Sequence, residues 1–247
     1  MIKQVVGVIP ARLASMRLPR KALRPLCGRP MVEWVYRHAA RFPGFFMLLV
    51  ATDSAEIKDF CEAAVIPVMM TSSHHSSGTD RIHEVMTRLA PEVGEEAIYV
   101  NIQGDEPMVS ASHIELLAKP FDDSRTQVST LKVAIVEAAA QDPSNVKVVT
   151  APDGRALYFS RAPIPYNREL PPARHYFKHL GLYAYSSRAL DAFHRLPPSP
   201  LELTEKLEQL RFLENGIPIT VMQTSLDTIG VDTEEDVARV EEHLRRG

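Results

Sequence analysis

Residues 5–21 read VVGVIPARLASMRLPRK, and the fold turns on where this stretch divides. Val5-Val6-Gly7-Val8-Ile9 is apolar at every position and short, as a strand buried on both faces should be. The remainder, residues 10–21, carries four bases and no acid, which makes it a loop at the strand's carboxyl end. Further apolar runs lie at 46–51, 65–70 and 98–102. Between and after them the periodicity is helical, at 31–41, 54–64, 80–89 and, behind a Ser110 or Ser112 cap, 113–117. Strand and helix alternating at this spacing predict a parallel sheet with right-handed crossovers.

The second half changes character. Residues 128–136 read as a long strand, and 146–150 with 156–159 read as a hairpin around Pro152-Asp153-Gly154. Residues 160–176 are irregular, interrupted by Pro163, Pro165, Pro171 and Pro172. A strand follows at 179–185. Ser199-Pro200-Leu201-Glu202 is a capping box with proline at the first helical position, leading a stripe of Leu203, Leu207, Leu210 and Leu213 that Gly216 stops. Thr233 and Asp236 open a last helix with Val237, Val240 and Leu244 inward. The expected architecture is α/β: a mostly parallel, doubly wound sheet in one domain over 1–247, with a mixed-sheet insertion at 128–186.

Composition narrows the function. The chain has 247 residues, 45% hydrophobic and 24% charged, the balance of an ordinary globular protein. No apolar run approaches the roughly 20 residues of a membrane span, and 2–9 is too short for a secretory signal, so a cytosolic protein is expected. Cys27 and Cys61 make neither a disulfide framework nor a four-thiolate metal site. A net charge of -3 argues against general nucleic-acid binding. The charge is uneven: nine bases and one acid over residues 1–41, eleven acids and five bases over 200–247. A basic amino-terminal end suits a polyanionic small ligand or is a solvated face.

Ligands of open α/β sheets bind beyond the carboxyl ends of the strands. The basic loop stands there, yet it has no glycine between Gly7 and Gly28 and is neither a dinucleotide fingerprint nor a Walker loop. Guanidinium and ammonium groups must therefore do most of the phosphate neutralising. Asp105, on the glycine turn Gln103-Gly104-Asp105 after the fourth strand, is placed to hold a divalent cation against those phosphates. Asp232, before the last helix, reads either as a second carboxylate on the same rim or as a cap participant. A basic loop with two rim acids suits metal-assisted nucleotidyl transfer. His74-His75 has no companion metal ligands and reads as a flexible loop before a capped helix. In that loop Ser77, Gly78, Thr79 and Arg81 suit the edge of a base. Arg161, His179, Tyr183, Glu208 and Gln209 lie beside apolar runs and by default occupy surface or edge positions.

Taken in order, IPARLASMRLPRKAL (9–23), VATD (50–53), SGTDRI (77–82), VNIQGDEPM (100–108), NVKVV (145–149), ALYFSRAPIPYNR (156–168), HLGLYAYS (179–186), SPLELTEKLEQLR (199–211) and GVDTEEDVARVE (230–241) resemble the 3-deoxy-manno-octulosonate cytidylyltransferases, the CMP-Kdo synthetases. The resemblance covers nearly the whole chain. It implies CTP and Kdo as substrates, CMP-Kdo and pyrophosphate as products, magnesium as cofactor, and a cytoplasmic homodimer serving lipopolysaccharide biosynthesis. Residue by residue, it puts Arg12, Ser15 and Lys21 on the triphosphate, with Ser77, Gly78, Arg81 and Gln103 in the nucleotide site. Asp105 and Asp232 would hold the metal, and Arg12, Lys21 and both acids would carry the chemistry. Arg161, His179, Tyr183, Glu208 and Gln209 would surround the sugar, Arg161 meeting its carboxylate. The insertion would serve sugar binding and dimerisation. Arg20 and Ala22 stand where the family usually has glycine and proline, and Ser76 where it often has glutamine. The competing readings are a cytidylyltransferase for a related acid (amino-Kdo or a sialic acid), a metal-dependent glycosyltransferase, and a non-catalytic nucleotide-binding module.

Overall fold

Burial follows the apolar runs: Val6, Val8, Ile9, Val50, Ala51 and Val100 are all removed from solvent, as two-sided strands require. In the computed structural model, which describes residues 3–13, 18–75, 77–168 and 176–246, the runs at 5–9, 46–51 and 98–102 become strands within two residues of expectation. Ser15, Arg17 and Ser76 lie outside the described residues. In chain order the elements are β1 (Val5–Ala11), β2 (Pro25–Leu26), β3 (Arg29–Pro30), α1 (Met31–Ala39), β4 (Phe45–Thr52), α2 (Ala55–Ala63), β5 (Val68–Met70), α3 (Gly78–Val93), β6 (Ile98–Asn101) and α4 (Ala111–Ala118). They continue as β7 (Val128–Ile135), α5 (Glu137–Ala140), β8 (Lys147–Thr150), β9 (Ala156–Ser160), β10 (Tyr176–Ser186), α6 (Ser187–Arg195), α7 (Pro200–Glu205), α8 (Gln209–Glu214), β11 (Ile219–Thr224) and α9 (Glu234–Arg246).

The chain divides into two compact units. Met1–Glu115 with Thr228–Gly247 forms the first and Leu116–Asp227 the second. The inserted portion is therefore wider than the expected 128–186 at both ends, and it is compact in its own right. Its extra length comes from α6 to α8 and β11. The strand β11 was not anticipated; its buried Ile219 and Val221 alternate correctly, but the run is short and follows Pro218.

In the first unit β6, β1, β4 and β5 pair in that order, every pair parallel. Only Val68–Met70 of the expected 65–70 strand forms. Val65 instead ends α2 with φ 57, and the Ile66 N–H turns back to the Cys61 carbonyl. The helix α9 packs Val237 and Val240 into a cluster with Leu18, Leu26, Met31 and Val231, which fixes the loop after β1 and the segment before α9 to one core. Thr233 and Asp236 cap α9 reciprocally, as anticipated.

In the second unit β7 is central, antiparallel to β10 and parallel to β11, while β8 and β9 form the expected hairpin, with Gly154 at φ 86. The single leucine-striped helix expected after Ser199 is two helices. Lys206 adopts φ 55 between α7 and α8, so Leu203 is 54% exposed while Leu207 and Leu210 are buried. The capping box forms, and its Glu202 is drawn into a buried pair with Arg211 at 2.5 Å. That pair spans the break and accounts for it: an unbroken helix would place residues 202 and 211 two and a half turns apart.

Candidate active site

Strand order and chain order part company at β1. The chain builds β1, β4 and β5 outward in one direction and then returns to lay β6 on the other side of β1. Such a switch point opens a crevice at the carboxyl ends of the two strands it separates. A cleft of about 410 Å³ lies there. Pro10, Ala11 and Arg12 come from the end of β1, Gln103, Gly104 and Asp105 from the turn after β6, Lys21 and Ala22 from the basic loop, and Asp232 from the approach to α9. His75, Ser77, Gly78 and Arg81 complete the lining. Eight of the residues expected at a nucleotide site thus share one cavity: Arg12, Lys21, Ser77, Gly78, Arg81, Gln103, Asp105 and Asp232.

Gly104 is the point of closest approach. A Cβ on it would stand 2.7 Å from the Pro10 carbonyl oxygen, a backbone atom that cannot swing aside. The β1 and β6 turns meet this tightly only because the residue is glycine. The turn also delivers Asp105, whose carbonyl accepts the Val231 N–H at 2.9 Å, so the two acid-bearing segments are tied through backbone.

Lys21 joins their side chains. Its ammonium donates to Asp105 Oδ2 at 2.6 Å and to Asp232 Oδ1 at 2.7 Å. The lysine is largely buried and the carboxylates are partly exposed. Burial opposes the lysine charge, but Asp105 and then Asp232 outweigh it and raise its pKa above the ordinary value. Asp232 is therefore a rim acid, and capping α9 falls to Asp236, which also takes the Asp232 N–H at 3.0 Å. Among the described residues no group of three or more His, Cys, Asp or Glu could hold a metal. Two carboxylate oxygens aimed at one point nevertheless fit Mg²⁺, which keeps several waters and completes its shell with substrate phosphates.

Other expected residues have structural duties. Ser77 caps α3, its hydroxyl accepting the Asp80 N–H at 3.1 Å. Arg81 is 4% exposed, and its guanidinium donates to Asp53 Oδ2 at 3.0 Å and to the Thr71 hydroxyl. It braces the cleft wall more than it offers a free cation. Arg20, at the family's glycine position, keeps the left-handed backbone glycine would favour, φ 58, and its side chain pairs with Glu56. The departure changes the side chain and leaves the turn.

The second unit holds its own polar cluster. His179 lies on β10 next to a bulge, where the register against β7 shifts between Leu180 and Tyr183. The bulge brings the His179 and Tyr183 rings within 5.3 Å, in a ladder running Phe159, His179, Tyr183, Tyr185, Phe212. His179 Nε2 is 3.0 Å from the Thr130 hydroxyl, which itself donates to the Leu182 carbonyl at 2.7 Å. With that proton engaged, the imidazole must be the donor and carries its hydrogen on Nε2. Burial pushes the His179 pKa down to about 3, with Lys178 adding to the effect, so the ring is neutral. Gln209 is buried with no hydrogen-bond partner for Nε2, a donor a ligand oxygen would satisfy. Glu208 beside it is exposed. Arg161 is anchored by Nε to the Glu205 carbonyl at 2.8 Å and by Nη1 to the Pro143 carbonyl at 3.1 Å. The fully buried Lys147 binds the Arg161 carbonyl at 2.6 Å and the Asp142 carbonyl at 3.0 Å. Sequence reading passed over Lys147, for which a lysine inside an apolar strand was the available signal. It also set aside His75, which gave none beyond adjacency to the cap.

Known proteins resemble this chain along most of its length. The cytidylyltransferase family model matches residues 6–223. A 3-deoxy-manno-octulosonate cytidylyltransferase of Acidobacterium capsulatum is 51% identical over 97% of this chain and 96% of its own length. That of Koribacter versatilis is 50% identical over 98% of this chain and 90% of its own. Among solved structures, a CMP:2-keto-3-deoxy-manno-octonic acid synthetase complexed with CTP superposes with a TM-score of 0.92 at 41% identity, covering 99% of both chains. A switch-point cleft with a lysine between two rim acids, and relatives alike from end to end, place the chain in the 3-deoxy-manno-octulosonate cytidylyltransferase family.

Proposed function

We propose that this chain activates Kdo with CTP, releasing CMP-Kdo and pyrophosphate. The observation that carries the reading is the convergence of Asp105 and Asp232 on Lys21 in the switch-point cleft. In the reaction the anomeric hydroxyl oxygen of the sugar bonds to the α-phosphorus, the bond from that phosphorus to the α,β-bridging oxygen breaks, and the hydroxyl loses its proton. Arg12 and Lys21 stabilise the charge growing on pyrophosphate. Asp105 and Asp232 would hold Mg²⁺, whose chemistry is to neutralise the α-phosphate and acidify the attacking hydroxyl. With the metal held there, Lys21 would be left to offer its ammonium to the phosphates. On the sugar, neutral His179 and the open Gln209 amide supply uncharged hydrogen bonds, and the terminal nitrogens of Arg161 supply the cation for a carboxylate.

The reading extends to a homodimer in the cytoplasm whose product serves lipopolysaccharide assembly. No helix among the described residues is long and apolar enough to cross a membrane. The deciding experiment supplies CTP, Mg²⁺ and Kdo and detects pyrophosphate, with UTP and ATP, and amino-Kdo and a sialic acid, as separate arms. Pyrophosphate release confined to CTP with Kdo is expected. Silence with Kdo, or faster release with another acid, overturns the assignment.

A further inference from the structure

Residues 71–75, where His74-His75 is expected to be a flexible loop before a capped helix, are held by one face of α3. Arg81, Glu84 and Arg88 stand at helical spacing on that face. Arg81 donates to the Thr71 hydroxyl and the Ser72 carbonyl, Arg88 to the Met70 carbonyl, and Glu84 accepts the Ser72 N–H at 2.8 Å. The same Glu84 oxygen is 2.6 Å from His75 Nε2, and Arg88 reaches the other oxygen at 3.3 Å. Burial works against the Glu84 charge, yet the Ser72 N–H and His75 outweigh it and keep its carboxyl below the ordinary range. A carboxylate only accepts, so His75 Nε2 carries the proton. In the neutral ring Nδ1 is then an acceptor, on a side chain that lines the cleft.

Its position within the cleft is set by the sheet. Asp105 follows β6 on one side of β1, whereas the loop bearing His75 follows β5, beyond β4 on the other side. The cleft so has a charged end, at Lys21, Asp105 and Asp232, and an end at His75, Ser77 and Gly78. With triphosphate at the first, the nucleoside extends to the second; this step rests on reading the cleft as a CTP site.

We propose that His75 is a specificity-determining residue for the nucleotide: Nδ1 accepts a hydrogen bond from the 4-amino group of cytosine, and Glu84 is the positioning residue that fixes the accepting tautomer. Uracil presents a carbonyl at the same place and would set two acceptors against each other, which selects against it. His75→Lys keeps a donor toward Glu84 and has no acceptor to offer the base. It should raise the KM for CTP about tenfold with little change in kcat, and lower the CTP-over-UTP ratio of kcat/KM about tenfold. In wild-type protein without Kdo, the Nδ1 nitrogen resonance should shift on adding CTP and stay unmoved on adding UTP, with Nε2 still protonated. That titration needs no variant to fold and no turnover. An unaltered CTP-over-UTP ratio in the variant, or an Nδ1 resonance indifferent to bound CTP, overturns the proposal. Wild-type protein that binds CTP yet releases no pyrophosphate with Kdo would instead sink the proposed function and leave the His75 contact standing.

Discussion

At the rim of the first unit the Lys21 ammonium meets the side chains of Asp105 and Asp232. In the second unit Lys147 and His179 are sealed in, and the hydrogen bonds of both go to neutral oxygens. Bases of the two regions are thus pushed in opposite directions: the Lys21 pKa rises, while burial lowers those of Lys147 and His179. The difference teaches what each region can do. Partly exposed, mutually paired charges are exchangeable, since an incoming cation or phosphate replaces one partner at modest desolvation cost. Sealed groups with neutral partners suit shape and hydrogen-bond recognition.

The sharpest way to break that contrast is to remove one charge from the rim. Asp105→Asn keeps the size and leaves the backbone tie to Val231, because that bond uses the Asp105 carbonyl. Turnover should fall at least about a hundredfold, on the order of 3 kcal/mol in the barrier. The melting temperature should stay within about two degrees, since both rim acids are partly exposed. A variant with near-normal rates removes Asp105 from the metal. Gly104→Ala attacks the same rim by geometry with no change of charge. The added carbon meets a backbone oxygen at 2.7 Å, so the two turns must part. A loss of about 1–3 kcal/mol in denaturant unfolding should accompany the loss of turnover. Full stability in the alanine variant would show that the approach of the two turns can relax.

The second region breaks differently, through pH. His179 is near pKa 3 in the fold against the ordinary 6.5, so between those values the unfolded chain binds the extra proton. Its contribution to stability is complete above pH 6.5 and is lost as pH falls through that window, by about 1 kcal/mol per pH unit. Unfolding free energies of wild type and His179→Gln, measured from pH 7 to pH 4, should diverge in slope by that amount. Parallel slopes would mean that His179 is protonated in the folded state.

How much of this was legible beforehand differs between the two regions for a physical reason. The parallel half announces itself locally: each buried strand is an apolar run, α2, α3 and α9 begin at side-chain caps, and the ligand end follows from strand order. Arg12 and Asp105 were visible because charge directly after a buried strand is unusual, Lys21 as the end of the basic loop, and Asp232, before the last helix, only as one of two readings. The break at Lys206 was not visible, since a left-handed lysine inside a leucine stripe has no local signature. It follows from the Glu202–Arg211 pair, a tertiary contact. The tautomer of His179 likewise rests on Thr130, 49 residues away, and on a bulge that neither strand announces. Nor did any pattern mark the role proposed for His75, which depends on Glu84 two turns along the following helix.

The smallest effect concerns Arg20, which returns to the rim and tests whether its loop is strained. A non-glycine residue at φ 58 costs roughly 1–2 kcal/mol relative to its preferred conformations. Its exposed pairing with Glu56 offsets only a fraction of that. Arg20→Gly removes the conformational cost and the pairing together, and adds the larger chain entropy of glycine in the unfolded state. The balance favours the variant by less than about 1 kcal/mol, a rise of one to three degrees in melting temperature. Because one positive charge leaves a loop that faces a triphosphate, the KM for CTP should rise about twofold at low salt and converge with wild type as salt is raised. A fall in melting temperature would mean that the Glu56 pairing outweighs the backbone cost, and that this loop keeps its shape through its side chain.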